Sequence, residues 1–323
     1  MAEDGSLAKV LFYDLVRQLR IAAGLGSVDA GNCYDSIAHA IASMMFQAFG
    51  VNKNSVQAML VAIEEMLFFL RTAFGDSKQS AGTRIRIKTQ GLCQGNGAAP
   101  AGWTVISITI LCAHKRKGHG AKIVCPISKR SGHLAAILYV DDADVLHIDM
   151  EAEESIEDTH LALQESISNW GSLLIASGGA LKPVKCFYHL ISFDWKADGS
   201  WRYSANKRNE ELDIVVPMPG RSEAKIEHLS VNQASKTLGV MTCPSGAHAG
   251  ALQRMKDRAQ EWVDLVKKGK MLRRHVWFCV DRQFWPKVGY GLCSVAAPFK
   301  ELANCLSKPY YQLLPFGGVI QSC

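Results

Sequence analysis

A chain of 323 residues, 48% hydrophobic and 20% charged, is long enough for two ordinary domains and too apolar for wholesale disorder. Its net charge of +6 is a mild sign of a polyanionic partner. Ten cysteines with no C-x-x-C pair, acids at Glu3 and Asp4 where a signal peptide carries bases, and no apolar run near the roughly 20 residues of a membrane span together read as an intracellular protein with reduced thiols.

In chain order, Leu7, Val10, Leu11, Leu15 and Leu19 recur at helical spacing and predict a helix over 7–20. Gly24 and Gly26 follow, and Ser27 to Ala30 reads as a short extended piece. Ile37, Ala40, Ile41, Met44 and Met45 mark a helix over 36–49, and Met59, Ile63, Met66, Leu67 and Leu70 another over 55–74. Between Arg84 and Lys88 isoleucine alternates with base, the pattern of a strand with a cationic face. A glycine-bearing loop, 91–102, feeds an apolar helix at 103–113. Strands are predicted at 133–139 and 144–148, joined by Val140, Asp141, Asp142 and Ala143. An acidic-faced helix spans 152–176, stopped by Gly178 and Gly179 ahead of Pro183. A hairpin over 188–195 and 200–204 turns on Lys196 to Gly199. In the last third, Leu252, Met255, Ala259, Val263 and Val266 form a helical stripe. Eleven Lys or Arg stand against four acids between Ala251 and Lys300, so the positive charge is concentrated there. Trp262 sits at core spacing, whereas Trp277 and Trp285 interleave with the bases as candidates for stacking on nucleic acid.

The most informative stretch is Tyr139-Val140-Asp141-Asp142. Adjacent carboxylates between apolar strand residues are costly unless a cation compensates them, and hard oxygen ligands suit Mg²⁺. For an isolated pair, a solvated Asp-Asp turn is the better explanation. A second acid in a similar setting changes that balance: Asp29 follows Val28 and opens Asp29-Ala30-Gly31-Asn32-Cys33-Tyr34-Asp35. Asp35 itself reads as the N-cap of the next helix.

Taken together, these segments resemble the palm of a reverse transcriptase, the RNA-directed DNA polymerase of non-LTR retrotransposons and related retroelements. Asp29 with Tyr34 and Asp35 is similar to the family's first motif, and Gln94-Gly95-Asn96-Gly97-Ala98-Ala99-Pro100 to its second. Tyr139 to Asp142 is similar to the third, Gly178 to Cys186 with Lys185 to the fourth, and Thr237-Leu238-Gly239-Val240 to the fifth. Each alone is a weak signal; the five occur in family order over residues 29 to about 245.

The resemblance implies an α+β fold: a right-hand polymerase palm, a small antiparallel sheet backed by helices, followed by a helical thumb. It implies two Mg²⁺ ions, with Mn²⁺ as a substitute, held by Asp29, Asp141 and Asp142 and by the backbone carbonyl of Ala30. Tyr34 would exclude a 2′-hydroxyl, Gln94 and Gly95 would contact the nascent base pair, and Lys185 would protonate or neutralise pyrophosphate. Leu238 and Gly239 would support the primer end. The implied partners are an RNA template, a DNA primer and deoxynucleoside triphosphates, with no membrane; the resemblance leaves oligomeric state open, and nucleus against cytoplasm likewise. Three regions are expected: a short helix over 1–28 at the junction of fingers and palm, the palm over 29–245, and a basic thumb-like region over 246–323. The family places its fingers before the first motif, and 28 residues are too few for them, so the fingers are expected to be largely missing. Two functional classes follow: a working polymerase, or a truncated or inactive retroelement fragment that still binds nucleic acid. An RNA-dependent RNA polymerase is a minor third, disfavoured by Val140 before the Asp pair and by Tyr34.

Overall fold

The computed structural model describes residues 2–82, 90–152, 154–204, 212–220 and 222–318, so the expected strand at 84–88 lies outside the described residues. The chain divides into two compact units. One is Ile21–Leu229; the other joins Met1–Arg20 to Ser230–Cys323. These borders fall at 20/21 and 229/230, against the 28/29 and 245/246 expected from the sequence. The first helix, α1 (Ala2–Leu19), is therefore part of the same unit as the C-terminal residues.

In the larger unit, strand β1 (Ala23–Gly31) leads to α2 (His39–Ala48) and α3 (Lys53–Glu64). Next come a hairpin, β2 (Leu67–Thr72) and β3 (Gly75–Gly82), and then α4 (Ala99–Arg116). Strands β4 (Ala121–Val124), β5 (Ser131–Leu134), β6 (Ala136–Tyr139) and β7 (Asp142–Asp149) precede α5 (Ile156–Ala176). After β8 (Ala180–Leu181) and a single 3₁₀ turn, Pro183–Lys185, come β9 (Phe187–Ile191), β10 (Phe193–Trp195) and β11 (Trp201–Tyr203). Three short strands, β12 (Val215–Pro217), β13 (Glu223–Lys225) and β14 (Glu227–His228), end the unit.

Eight strands make one sheet in the order β14-β9-β1-β7-β4-β5, with β6 added to β7 and β8 to β1. The expected small antiparallel sheet is thus larger and mixed, because β14 runs parallel to β9 and β4 parallel to β7. The expected strand at 133–139 breaks at Ala135: its first half pairs with β4 and its second with β7. The expected helix at 55–74 stops at Glu64. Helical periodicity continues past that point, but the aromatic run Leu67-Phe68-Phe69-Leu70 favours extended backbone and pairs with β3. The Lys196–Gly199 turn forms as expected, with Lys196 N–H donating to Ser200 O at 2.8 Å.

Helix α5 backs the sheet. Ser155 and Asp158 form a reciprocal capping box at its start, and Leu163 and Ile167 press on β1. A Cβ at Gly26 would lie 2.5 Å from Ile167 Cδ1, so the strand admits the helix only because that position carries no side chain. The shared core includes Val28, Val145, Leu163, Ile167, Trp170 and Tyr188.

The smaller unit contains the hairpin β15 (Ser235–Thr237) and β16 (Val240–Thr242) and the helices α6 (Ala249–Lys268), α7 (Arg273–Cys279), α8 (Trp285–Gly289) and α9 (Phe299–Leu313). A π turn over Val280–Phe284 links α7 to α8 just before Pro286, which has no N–H to continue the α ladder. Trp262 is buried in this unit's core with Met255, Val263, Phe284 and Leu313. Helix α1 is fastened to β15 by the buried Lys9, whose ammonium donates to Thr237 Oγ1 at 2.9 Å. Among the described residues no helix is long and apolar enough to cross a membrane.

Two stability experiments follow from these contacts. His114 on α4 is fully buried, its ring nitrogens facing Ser166 Oγ at 3.2 Å and Asn169 Nδ2 at 2.9 Å. Burial, then His119 and His133, lowers its pKa from 6.5 to about 4. The folded chain therefore binds fewer protons than the unfolded one within that window, and stability falls as pH drops through it, by roughly 3 kcal/mol in all. His114→Gln is expected to flatten this acid-side loss in urea midpoints recorded between pH 7 and 4. In the smaller unit, Tyr290 Oη donates to Leu238 O at 2.7 Å, and Tyr290→Phe is expected to cost about 1 kcal/mol by the same measurement.

Candidate active site

The antiparallel register of β1 against β7 sets Asp29 directly opposite Asp142. Residues so paired point to the same face of a sheet with Cα atoms about 4.5–5.5 Å apart. Asp141 occupies the β6–β7 turn beside them, and its carbonyl accepts the Ala30 N–H at 3.3 Å. On the other edge of β1, Ala30 pairs with Leu181 of β8. Asp29 is held from that side as well: its N–H donates to Cys186 Sγ at 3.4 Å, its carbonyl accepts from Lys182 N at 2.9 Å, and Lys185 Nζ donates to its Oδ2 at 2.9 Å. The structure thus brings Asp29, Ala30, Asp141, Asp142 and Lys185 together.

Tyr139 and Asp142 pair across the turn, which Val140 enters with φ 55°. For a β-branched residue that left-handed conformation is an outlier, with a cost on the order of 1–3 kcal/mol that the surroundings must impose. One such constraint is the Trp103 indole, whose Nε1–H donates to Val140 O. Trp103 also meets Tyr34 edge-on, with ring centroids 6.5 Å apart. Tyr34 is half-buried against the core, and burial, then Cys33 and Asp141, raises its phenol above the ordinary range.

Asp35 is not a helix cap: α2 begins at His39, and its N-cap Ala38 makes no side-chain bond. The Asp35 carboxylate instead accepts the Gln94 N–H at 2.9 Å, tying the Gln-Gly loop to the loop after β1. Leu92 N–H donates to Tyr34 O at 2.7 Å and Gly91 N–H to Ile37 O at 3.0 Å. Gly91 has φ +88°, and a Cβ there would lie 2.4 Å from Asp35 Cα, so only glycine fits. His39 completes the lacing, with Nε2 2.6 Å from Gly91 O and Nδ1 3.0 Å from Glu64 Oε1. Gln94 and Gly95 are exposed at the tip of this loop. Sequence reasoning missed the role of Trp103 and misread Asp35 as a helix cap. The only signal was their position, one just after the Gln-Gly loop and the other at the end of the Asp29 segment.

Electrostatically the site is strongly negative. Asp142 stands exposed at the head of β7. Loss of hydration to the surrounding chain, then Asp141, Asp29 and Asp144, raises its carboxyl above the ordinary carboxylate range, while Lys185 opposes the shift. The hydrogen bond to Asp29, then the charges of Asp29, Asp141 and Asp142, raises Lys185 above the usual lysine range. Burial pushes the flanking thiols of Cys33 and Cys186 up to about 11, so neither is a thiolate at neutral pH. The acceptors are carboxylate oxygens in excess negative charge, a donor set suited to a hard divalent cation. Among the described residues, no three His, Cys, Asp or Glu side chains are gathered closely enough to cage an ion as they stand.

Leu238 and Gly239 form the tip of the β15–β16 hairpin in the smaller unit, both with positive φ, 50° and 86°. Their carbonyls are held by side chains of that unit: Tyr290 on Leu238 O, and Arg258 Nη2 on Gly239 O at 3.0 Å. Of the bases between Ala251 and Lys300, only Arg254 and Arg258 are half-buried; the others face solvent. The Trp277 indole donates to Gly317 O at 2.9 Å, whereas Trp285 stays exposed beside Phe284 and Tyr310.

No protein-family model and no curated protein matches this chain. Solved structures similar to it include three of telomerase. A Candida tropicalis telomerase in complex with a TWJ fragment of telomeric RNA aligns at TM-score 0.40 and 10% identity, over 96% of this chain and 50% of that one. A Candida albicans telomerase in complex with a TWJ fragment of telomeric RNA aligns at 0.34 and 11%, over 97% and 47%. An apo Candida tropicalis telomerase truncated from its C-terminal domain aligns at 0.38 and 12%, over 61% and 39%. The chain spans half or less of each of these proteins, and a likeness at this level decides neither fold nor function.

The raised Asp142 carboxyl, set by loss of hydration and then by its acidic neighbours, has a measurable consequence. A carboxyl whose pKa is higher in the folded chain holds its proton more tightly there, so stability falls as pH rises from the unfolded value through the folded one. Asp142→Asn is therefore expected to raise the urea midpoint at pH 7 in metal-free buffer. The gain should vanish below about pH 4, where the wild-type carboxyl is protonated in either state. A lowered midpoint at pH 7 would show that the Asp142 carboxylate is not disfavoured in the folded chain.

Proposed function

We propose that this protein is an RNA-directed DNA polymerase of retroelement type, joining deoxynucleotides to a primer 3′-hydroxyl. The observation that supports this reading best is the pairing of Asp29 with Asp142 across β1 and β7, with Asp141 in the adjoining turn. Five short segments far apart in sequence carry the resemblance. Four of them, around Asp29, Gln94, Asp141 and Lys185, fall within one unit and are joined by named hydrogen bonds.

On this reading Asp29, Asp141 and Asp142 would hold two Mg²⁺ ions, the Ala30 carbonyl adding an oxygen. When bound, the ions lower the pKa of the attacking hydroxyl and neutralise the triphosphate. The chain's own residues do the rest. Tyr34, stiffened by Trp103, excludes a sugar bearing a 2′-hydroxyl. Gln94 and Gly95 face the nascent base pair from a loop anchored by Asp35. Lys185 neutralises departing pyrophosphate. The exposed bases of the smaller unit bind phosphates without regard to sequence and with marked salt sensitivity, and its Leu238–Gly239 turn supports the primer end by resemblance alone.

The test is Mg²⁺-dependent primer extension on an RNA template. Extension by the wild type should fall at least about a hundredfold in Asp141→Asn, and Tyr34→Ala should admit ribonucleotides. Salt-sensitive duplex binding with no extension would favour an inactive nucleic-acid-binding fragment instead. Extension that survives Asp141→Asn would sink the site assignment.

A further inference from the structure

The contact between Lys185 and Asp29 is more than a surface ion pair. The Asp29 side chain is 13% exposed and that of Lys185 52%, so an open lysine reaches down to an enclosed carboxylate. The backbone on both sides of the lysine is tied to the backbone of its partner. Lys182 N–H donates to Asp29 O, Asp29 N–H donates to Cys186 Sγ, and Lys185 closes the intervening 3₁₀ turn by donating its own N–H to Lys182 O at 2.9 Å. The ammonium is thereby aimed at Asp29 by the fold, and Asp141 and Asp142 add to the negative charge it meets.

We infer, building on the reading of Asp29 as a metal ligand, that Lys185 is a resident counter-ion. In the metal-free protein its ammonium takes the charge position that a divalent cation takes at Asp29, and it must leave that oxygen before the cation can be ligated. One tethered positive charge compensates one of three crowded carboxylates, so exchange for a divalent ion is favoured by charge and opposed by loss of the hydrogen bond to Asp29. The occupied state is not competent to bind metal, and apparent metal affinity is reduced by the fraction of molecules in it. Once displaced, the ammonium swings free on its four-carbon stem and becomes available to the phosphates of a bound triphosphate. The same group thus serves the metal-free and the loaded site in turn.

Mn²⁺ binding, followed by the electron paramagnetic resonance of the free ion without nucleotide or primer, tests this apart from activity. Lys185→Met is expected to bind Mn²⁺ about three- to tenfold more tightly than wild type. Lys182→Met removes the same charge from the same loop without touching the Asp29 side chain, and should leave the affinity near the wild-type value. Lys185→Arg should restore the competition. Adding Asp29→Asn to Lys185→Met should abolish the gain. If Lys185→Met binds no more tightly than Lys182→Met while Asp141→Asn still weakens binding, the counter-ion role is overturned and the metal site stands. Mn²⁺ binding indifferent to both Asp29→Asn and Asp141→Asn would overturn the metal site and the counter-ion role together.

Discussion

Everything proposed for this protein depends on the register of β1 against β7. Side chains alternate across a strand, so a slip of one residue would send Asp29 to the other face of the sheet and leave Asp142 opposite a neighbour. That register is held by what lies behind it. Val28 and Val145 are buried in the core, and Gly24 and Gly26 let Leu163 and Ile167 of α5 press on the strand. The hydrophobic face of the strand thereby sets where its carboxylate points. The candidate chemistry is a consequence of core packing carried to the strand end.

Crowding acids at that end runs against stability. The turn that presents Asp141 and Asp142 carries a β-branched residue in left-handed backbone, and the Asp142 carboxyl is pushed above its ordinary range. Trp103 holds the turn through Val140, and Lys185 partly compensates the charge. Strain and repulsion of this kind concentrate where a ligand is to be received. They also explain why an isolated Asp-Asp pair says so little, since a solvated turn has neither the indole behind it nor a third acid opposite.

The smaller unit follows a different logic. Its helices bury one apolar stripe and leave nearly all their bases in water, while its hairpin tip is gripped by Tyr290 and Arg258. Helix α1 belongs to this unit because a buried lysine, Lys9, finds its acceptor on Thr237 more than two hundred residues along the chain. Local spacing made α1 a helix. Long-range contacts of this kind decide which unit it joins.

The sequence by itself determined those features that depend on local chemistry. Helical spacing marked α1, α2, α5 and α6, and Asp-Gly marked the turn near residue 198. The aspartates stood out because charge beside apolar strand residues calls for compensation. Tertiary structure decided what depends on partners distant in sequence. The aromatic run after α3 became a hairpin once β3 was there to pair with it, and the strand at 133–139 split because its halves answer to different neighbours. Asp35 became a latch on the Gln-Gly loop rather than a helix cap, and Trp103, inside the expected apolar helix, became a brace for the turn as well. A residue's own chemistry says what it can bind; only the folded chain determines which partner is within reach.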